Sequence, residues 1–348
     1  MGDDLMRALI LPKDAISTWC MKMKEAGMCL VLPRESDGMV VFEEATDDAP
    51  LELPANYTKS KLSPKSHLFP PTEALFSFRF EQDEVELEDV ELDTRRKVLF
   101  AVRPCDVAGM IALSKVFLEE PYDPYFGARF ERAVFIALAC ESVTPSCFCT
   151  AVGYSPFWDE GVDVLICDVD DAYLLRVMTG KGEECVSLAQ ELFSDADESH
   201  IAIAERKRME VESKLPQRGE LVGVAEKLIA SFESELWEKL CRKCVSCGAC
   251  TYVCPSCSCF DVTDEWNPFG GCRYRSWDGC CFAMFTMHAS GHNPRPTQAH
   301  RYRQRLLHKL AYFPLRYGMN MCVGCGRCID VCPVGMDIYE IAKALLEL

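Results

Sequence analysis

The sequence predicts an α+β protein in three parts. An N-terminal α/β-type domain with a mixed sheet spans 1–193, a helical bridge spans 194–240, and a mainly helical, cysteine-rich domain spans 241–348. Three observations predict this. Short apolar runs alternate with helical spacing in the first half. Charge and cysteine content both change near residue 240. One cysteine motif occurs twice in the last third.

The 348 residues are long enough for two domains and a sizeable core. Residues 241–348 carry 12 Lys and Arg against 8 Asp and Glu, whereas the rest carries 25 against 46. Fourteen of the 22 cysteines lie between Cys241 and Cys332. Such shifts mark a boundary. The net charge of −17 disfavours nucleic acid, whose phosphates it repels. No apolar run has the length of a membrane span, so no membrane insertion is expected. The start, Met1 to Lys13, lacks the basic flank and cleavage pattern of a secretory signal, so a cytoplasmic location is expected. In that compartment dense cysteine points to metal rather than disulfides.

Along the chain, Asp14 to Gly27 has helical character, and Met28 to Pro33 and Met39 to Glu43 read as strands. Prolines 50, 54, 64, 70 and 71 punctuate the next stretch. Leu75 to Phe80 is a strand candidate, and the acidic run Glu81 to Asp93 a solvated loop or edge. Lys97 to Val102 and Ala133 to Ala139 read as buried strands, with a helix from Asp106 to Leu118 between them, capped by Asp106. That is a βαβ unit. Gly161 to Asp168 and Ala172 to Met178 form a further strand pair. Ser199 to Lys214 and Glu220 to Leu240 read as helices of the bridge, split at Pro216 and Gly219.

The repeated motif carries the chemistry. Its copies are Cys244-Val-Ser-Cys247-Gly-Ala-Cys250-Thr-Tyr-Val-Cys254-Pro255 and Cys322-Val-Gly-Cys325-Gly-Arg-Cys328-Ile-Asp-Val-Cys332-Pro333. Both match C-x2-C-x2-C-x3-C-P, the bacterial ferredoxin run for [4Fe–4S] clusters. Three thiolates within seven residues curl around one corner of a cube, and the fourth reaches the other cluster. The expected sets are Cys244, Cys247, Cys250 with Cys332, and Cys322, Cys325, Cys328 with Cys254. Zinc ribbons use two separated cysteine pairs instead. The long insertion, Ser256 to Met321, with a helix over Arg301 to Leu315, makes the module resemble the alpha-helical ferredoxin type of succinate dehydrogenase iron–sulfur subunits.

Cys105 follows one strand of the βαβ unit, and Cys140, Cys147 and Cys149 follow the next. Strand ends meet at one rim, where sheet proteins place ligands. A third [4Fe–4S] cluster, reduced thiols and zinc all remain open for these four. Cys257, Cys259, Cys280 and Cys281 have no assigned role, and Cys20, Cys29, Cys167, Cys185, Cys241 and Cys272 read as spare thiols.

Arg103-Pro-Cys-Asp106, Asp123-Pro-Tyr-Phe126, Cys147-Phe-Cys149, Trp277-Asp-Gly-Cys280, Gly291-His-Asn293 and Met321-Cys-Val-Gly-Cys-Gly-Arg-Cys328 follow in this order. With them the chain resembles the 4Fe–4S dicluster family of sulfhydrogenase (cytosolic NiFe-hydrogenase) beta subunits and their counterparts in anaerobic sulfite reductase, from about residue 60 onward. The resemblance implies an electron-transfer subunit of an anaerobic oxidoreductase complex. Its expected neighbours are a ferredoxin-reductase-like flavin subunit handling NAD(P)H and a terminal subunit of hydrogenase, sulfite or sulfur reductase, or formate dehydrogenase type. The alternative is a stand-alone thiol or iron–sulfur redox enzyme using the first-domain cysteines. No G-x-G-x-x-G or P-loop accompanies these motifs. Arg327, inside the second loop, reads as a surface residue or, alternatively, as a cation that stabilises the reduced cluster. Arg273, Arg275, Arg295, Arg301, Arg303, Arg305, His308, Lys309 and Arg316 read as a basic helix face, either solvated or docked on an acidic surface.

Overall fold

Strands buried on both faces need unbroken apolar runs, and such runs assemble as parallel strands covered by helices. The computed structural model describes residues 7–46, 51–54, 57–82 and 84–348. Pro50 and residues 1–6 lie outside them. The strands are β1 (Arg7–Pro12), β2 (Cys29–Ser36), β3 (Met39–Glu44), β4 (Thr72–Glu81), β5 (Glu84–Asp89), β6 (Lys97–Val102), β7 (Val134–Leu138), β8 (Val164–Asp168), β9 (Ala172–Val177), β10 (Ser194–Asp195), β11 (Phe260–Asn267) and β12 (Gly270–Trp277).

Eight of them form one mixed sheet in the order β10-β1-β9-β8-β7-β6-β2-β3. Its centre, β2-β6-β7-β8, is parallel, and its flanks are antiparallel. Helix α1 (Ile16–Glu25) lies on one face, and α2 (Pro104–Phe117) and α3 (Pro124–Phe130) lie on the other. The βαβ unit is therefore β6-α2-β7, as the apolar runs predict. Helix α4 (Gly180–Ser187) joins α1, and α5 (Glu198–Ser213) joins α2 and α3.

The second stretch of the bridge departs from expectation. The sequence predicts one long helix over 220–240, but α6 (Ala225–Ala230) and α7 (Leu236–Cys241) are short. The carbonyls of Leu228, Ile229 and Ser231 accept bonds from Ser231, Phe232 and Ser234, and these tight turns close α6 and separate it from α7.

The insertion between the motifs also differs from a purely helical one. Its first part is the hairpin β11-β12, which adds to β4-β5 as a four-stranded antiparallel sheet ordered β11-β12-β4-β5. The alternating polar residues of Phe260–Asn267 suit an exposed edge strand. The acidic run supplies the other edge, β5, exposed along its whole length. The insertion's helix begins at α9 (Gln298–Leu307), widens to a π-turn over His308–Tyr312 and ends in α10 (Phe313–Tyr317). The motif loops carry one-turn helices, α8 (Ala249–Tyr252) and α11 (Arg327–Asp330), before the closing α12 (Ile338–Leu346).

One core unites the two ends of the chain. Ala108, Phe148, Val152 and Tyr154 pack with Leu306, Leu310, Val323 and Ile338 in a single buried cluster.

Candidate functional site

The two motif loops share one backbone course. Ser246 and Gly324 occupy equivalent left-handed positions at φ 54° and 64°, and Gly248 and Gly326 do so at 73° and 74°. The second of these opens a one-turn helix that carries the third cysteine, Cys250 or Cys328. Two reversals in seven residues turn three thiols toward one centre. Side-chain absence is required in the second copy. A Cβ on Gly326 would lie 2.4 Å from the Ser146 carbonyl oxygen, and one on Gly324 would lie 2.5 Å from the Cys149 backbone. The first copy tolerates Ser246, whose hydroxyl accepts a bond from Arg301 Nη2 at 3.2 Å.

The loops enclose two cavities. Cys244, Cys247, Cys250 and Cys332 line the first, with Cys281 and Cys328 in its wall. Cys322, Cys325, Cys328 and Cys254 line the second. Each thus gathers three thiols of one motif and the fourth of the other. Backbone amides point at these sulfurs. Met336 N donates to Cys332 Sγ at 3.1 Å, and the Gly324 and Arg327 amides donate to Cys322 and Cys325.

The first-domain cysteines converge as well. Cys105 starts α2 just past β6, and Cys140 follows β7, its parallel neighbour. With Cys147 and Cys149 they line a third cavity. Gly324 and Cys325 form part of its wall, and Phe148 N donates to Gly324 O at 2.8 Å. The second cavity therefore shares Cys328 with the first and Cys325 with the third.

The charge around the cavities is one-sided. Arg305, at 2% exposure, lines the first and second, donating to Cys250 O at 3.0 Å and to Cys257 Sγ at 3.5 Å. Lys309 lines the second, its Nζ 3.0 Å from Ser256 Oγ. Arg103 lines the third and donates to the Leu138, Ala139 and Tyr57 carbonyls, with its Nε left without a partner. None of the three meets a carboxylate among the described residues. Burying such a cation is costly unless an anion stands beside it. Each cavity also presents four soft sulfur donors, the set that iron–sulfur clusters take. The residues thus fit a thiolate-bound cube, which is net negative. Burial pushes the Cys140 and Cys322 thiols up to about 11.

Three sequence expectations are corrected. Arg327 is not at the surface. It is 2% exposed, and its Nη2 lies 2.9 Å from Oδ2 of the fully buried Asp106. Asp106 in turn does not cap α2, whose N-cap is Arg103; its carboxylate is held by Arg327 instead. The basic residues of the insertion are not one face. Arg275, Arg301, Arg305 and Lys309 are buried, while Arg316 is exposed and pairs with Glu119. The spacing of 301, 305 and 309, four residues apart beside Leu306 and Leu310, was the available signal of an inward basic stripe. Lys59 went unmarked, yet its Nζ bonds Cys325 O at 3.1 Å and Asp330 at 2.6 Å. No helix among the described residues is long and apolar enough to cross a membrane.

Thiol-lined cavities in a doubled ferredoxin-type motif define an iron–sulfur electron-transfer protein with [4Fe–4S] clusters. Residues 243–336 match the family model of a 4Fe-4S dicluster domain. Across 347 residues the chain is 33% identical to sulfhydrogenase 2 subunit beta of Pyrococcus furiosus, covering 98% of this chain and 99% of the relative. The chain belongs to the family of sulfhydrogenase beta subunits.

Proposed function

We propose that this chain is a three-centre electron wire within an oxidoreductase complex. Cys244, Cys247, Cys250 and Cys332 would hold one [4Fe–4S] cluster, and Cys322, Cys325, Cys328 and Cys254 a second. Cys105, Cys140, Cys147 and Cys149 would hold a third. When bound, each cube accepts and releases one electron at a time. The observation that carries the reading is the sharing of cavity walls. Cys328 stands between the first and second cavities and Cys325 between the second and third, so the three lie in series.

The chain's own residues set the conditions for transfer. Amides aimed at the sulfurs and the buried Arg305, Lys309 and Arg103 stabilise added negative charge. The surrounding apolar core excludes water. Cys247 is the exposed thiol of the first cavity, and Thr58 and Ser142, at the rim of the third, are bonded at an exposed position. Each end of the series therefore lies near a surface where a partner can dock. The relative's name, a sulfhydrogenase subunit beta, supports a multi-subunit setting. The partners are a flavin subunit handling NAD(P)H and a terminal hydrogenase or reductase subunit.

Iron and acid-labile sulfide analysis of anaerobically purified protein tests the centres. About 12 irons per chain are expected for three cubes, and about 8 for two. Substituting Cys105 and Cys140 by Ser should remove a third of the iron and leave the rest. An unchanged iron content would rule out the third centre. The relay is tested with the chain alone, which should be reduced reversibly by dithionite yet turn over neither NAD(P)H nor sulfite. Turnover without another subunit would defeat it.

A further inference from the structure

The chain carries 54 Asp and Glu in 348 residues, yet none falls in 239–260 or in 279–329. The first stretch holds the first motif. The second begins with the loop 282–296, between β12 and α9, which folds against that motif. Arg301 makes the junction. Its Nε donates to Cys281 O at 3.0 Å, its Nη1 to Arg295 O at 3.2 Å and Pro296 O at 2.9 Å, and its Nη2 to Ser246 Oγ. Both ends of the loop are thus pinned one residue from Cys247, the exposed thiol of the first cavity. Phe282 packs on Gly248, where a Cβ would strike its ring.

The surface so formed combines apolar and basic groups. Val245 and Met284 are 59% and 70% exposed, and Met287 is exposed as well. Lys239, Arg242 and Lys243 are exposed at helical spacing around the end of α7, so they share one side. Lys239 and Arg242 enter no ion pair among the described residues. Lys243 Nζ donates to Gly335 O at 2.7 Å, next to Val334 in the wall of the first cavity. The acids that flank these stretches are already engaged. Asp330 pairs with Lys59 and Asp337 with Arg218, while Glu238 accepts from Thr297 and Asp278 from the Gly279 amide. The entrance to the first centre is therefore basic in a chain of net charge −17.

We propose that this surface docks an acidic one-electron carrier protein, which exchanges electrons with the first centre. The inference rests on reading the first cavity as an iron–sulfur site. The carrier is a partner additional to the subunits of the complex. Charge selects it: Lys239, Arg242 and Lys243 steer an acidic face to Cys247, against the repulsion of the rest of the chain. Val245, Met284 and Met287 then give an adaptable apolar contact. A small mixed patch of this kind suits a transient encounter, whereas a permanent interface is larger and more apolar. One electron crosses per encounter, so the carrier ends reduced and this chain oxidised by one, or the reverse. No bond forms or breaks.

The test measures binding of an acidic [2Fe–2S] ferredoxin to the full chain, anaerobic and with its clusters, by calorimetry with both proteins oxidised. Both are net negative, so their overall charges predict an affinity that rises with salt. Docking on the basic patch predicts the opposite, a loss of at least about tenfold between about 50 and 500 mM salt. Lys239→Glu with Arg242→Glu should weaken binding by at least about tenfold while iron content stays unchanged. Lys22→Glu with Arg206→Glu makes the same charge change on the sheet domain and should alter binding by less than about twofold. No binding at low salt, affinity that rises with salt, or equal losses from the two pairs overturns the proposal. So does a complex that survives chromatography at about 500 mM salt, the mark of a permanent subunit. Absence of cluster absorption, or of its bleaching by dithionite, would instead defeat the reading of the first cavity.

Discussion

Arg327 shows how one side chain can tie the site to the fold. Its guanidinium reaches from the second motif loop to the first part of the chain, bonding Asp106 and both the backbone and the hydroxyl of Ser60. Removing one partner of a buried pair strands the other charge, which costs about 3–5 kcal/mol. Arg327→Met should destabilise the protein by that amount in chemical denaturation, and a loss below about 1 kcal/mol would contradict the pairing. Gly326 gives a second residue-scale prediction. Gly326→Ala adds a Cβ against the Ser146 carbonyl and forces a side chain into a left-handed conformation. The loop must shift, so the variant should bind less iron, as measured by metal analysis, with the first motif retaining its share.

At the scale of elements, α9 and its π-turn run through the middle of the site. Arg301, Arg305 and Lys309 project inward from them, which explains why a stripe that reads as solvated is buried. His308 lies on the same stretch. Burial and the neighbouring Lys309 hold its pKa down at about 4, against an ordinary 6.5. Between those values the unfolded chain binds a proton that the folded chain does not. Stability should therefore fall as pH drops from about 6.5 toward 4. Denaturant titrations across that window should show a shallower pH slope for His308→Gln.

Arg275 on β12 plays a comparable part for the small sheet. It is 3% exposed and pairs with Glu73 of β4 and with Asp123, the N-cap of α3. It fastens the inserted hairpin to the first part of the chain. Arg275→Met should loosen that hairpin, seen as faster amide hydrogen exchange along β11 and β12 than along β6 and β7.

For the whole molecule, the cysteine-rich part and the sheet domain share one packed seam. The second motif loop leans on the backbone of Phe148 and Cys149, and one apolar cluster spans both parts. A ligand that binds only the folded state stabilises it, so chelating the iron anaerobically should lower the unfolding temperature of the entire chain in one step. Residues 241–348 expressed alone should retain less iron than the same residues in the full chain, because the wall beside Gly324 is missing. Equal iron retention would show that the seam contributes nothing to the site.

The sequence by itself determined the chemistry and most of the elements. Spacing within C-x2-C-x2-C-x3-C-P is local, and it sets which thiols share a loop without reference to anything distant. Continuous apolar runs likewise specify β6 and β7, and thereby the neighbouring positions of Cys105 and Cys140. Tertiary structure decided what depends on non-local partners. Arg327 is buried because Asp106, 221 residues earlier, lies opposite it. Arg305 and Lys309 turn inward because thiols wait there. The hairpin β11-β12 pairs with β4 rather than remaining a loop because that sheet offers an open edge. A charged residue or a strand edge carries no mark in the sequence of the group that will neutralise or pair with it; only the folded arrangement supplies that group.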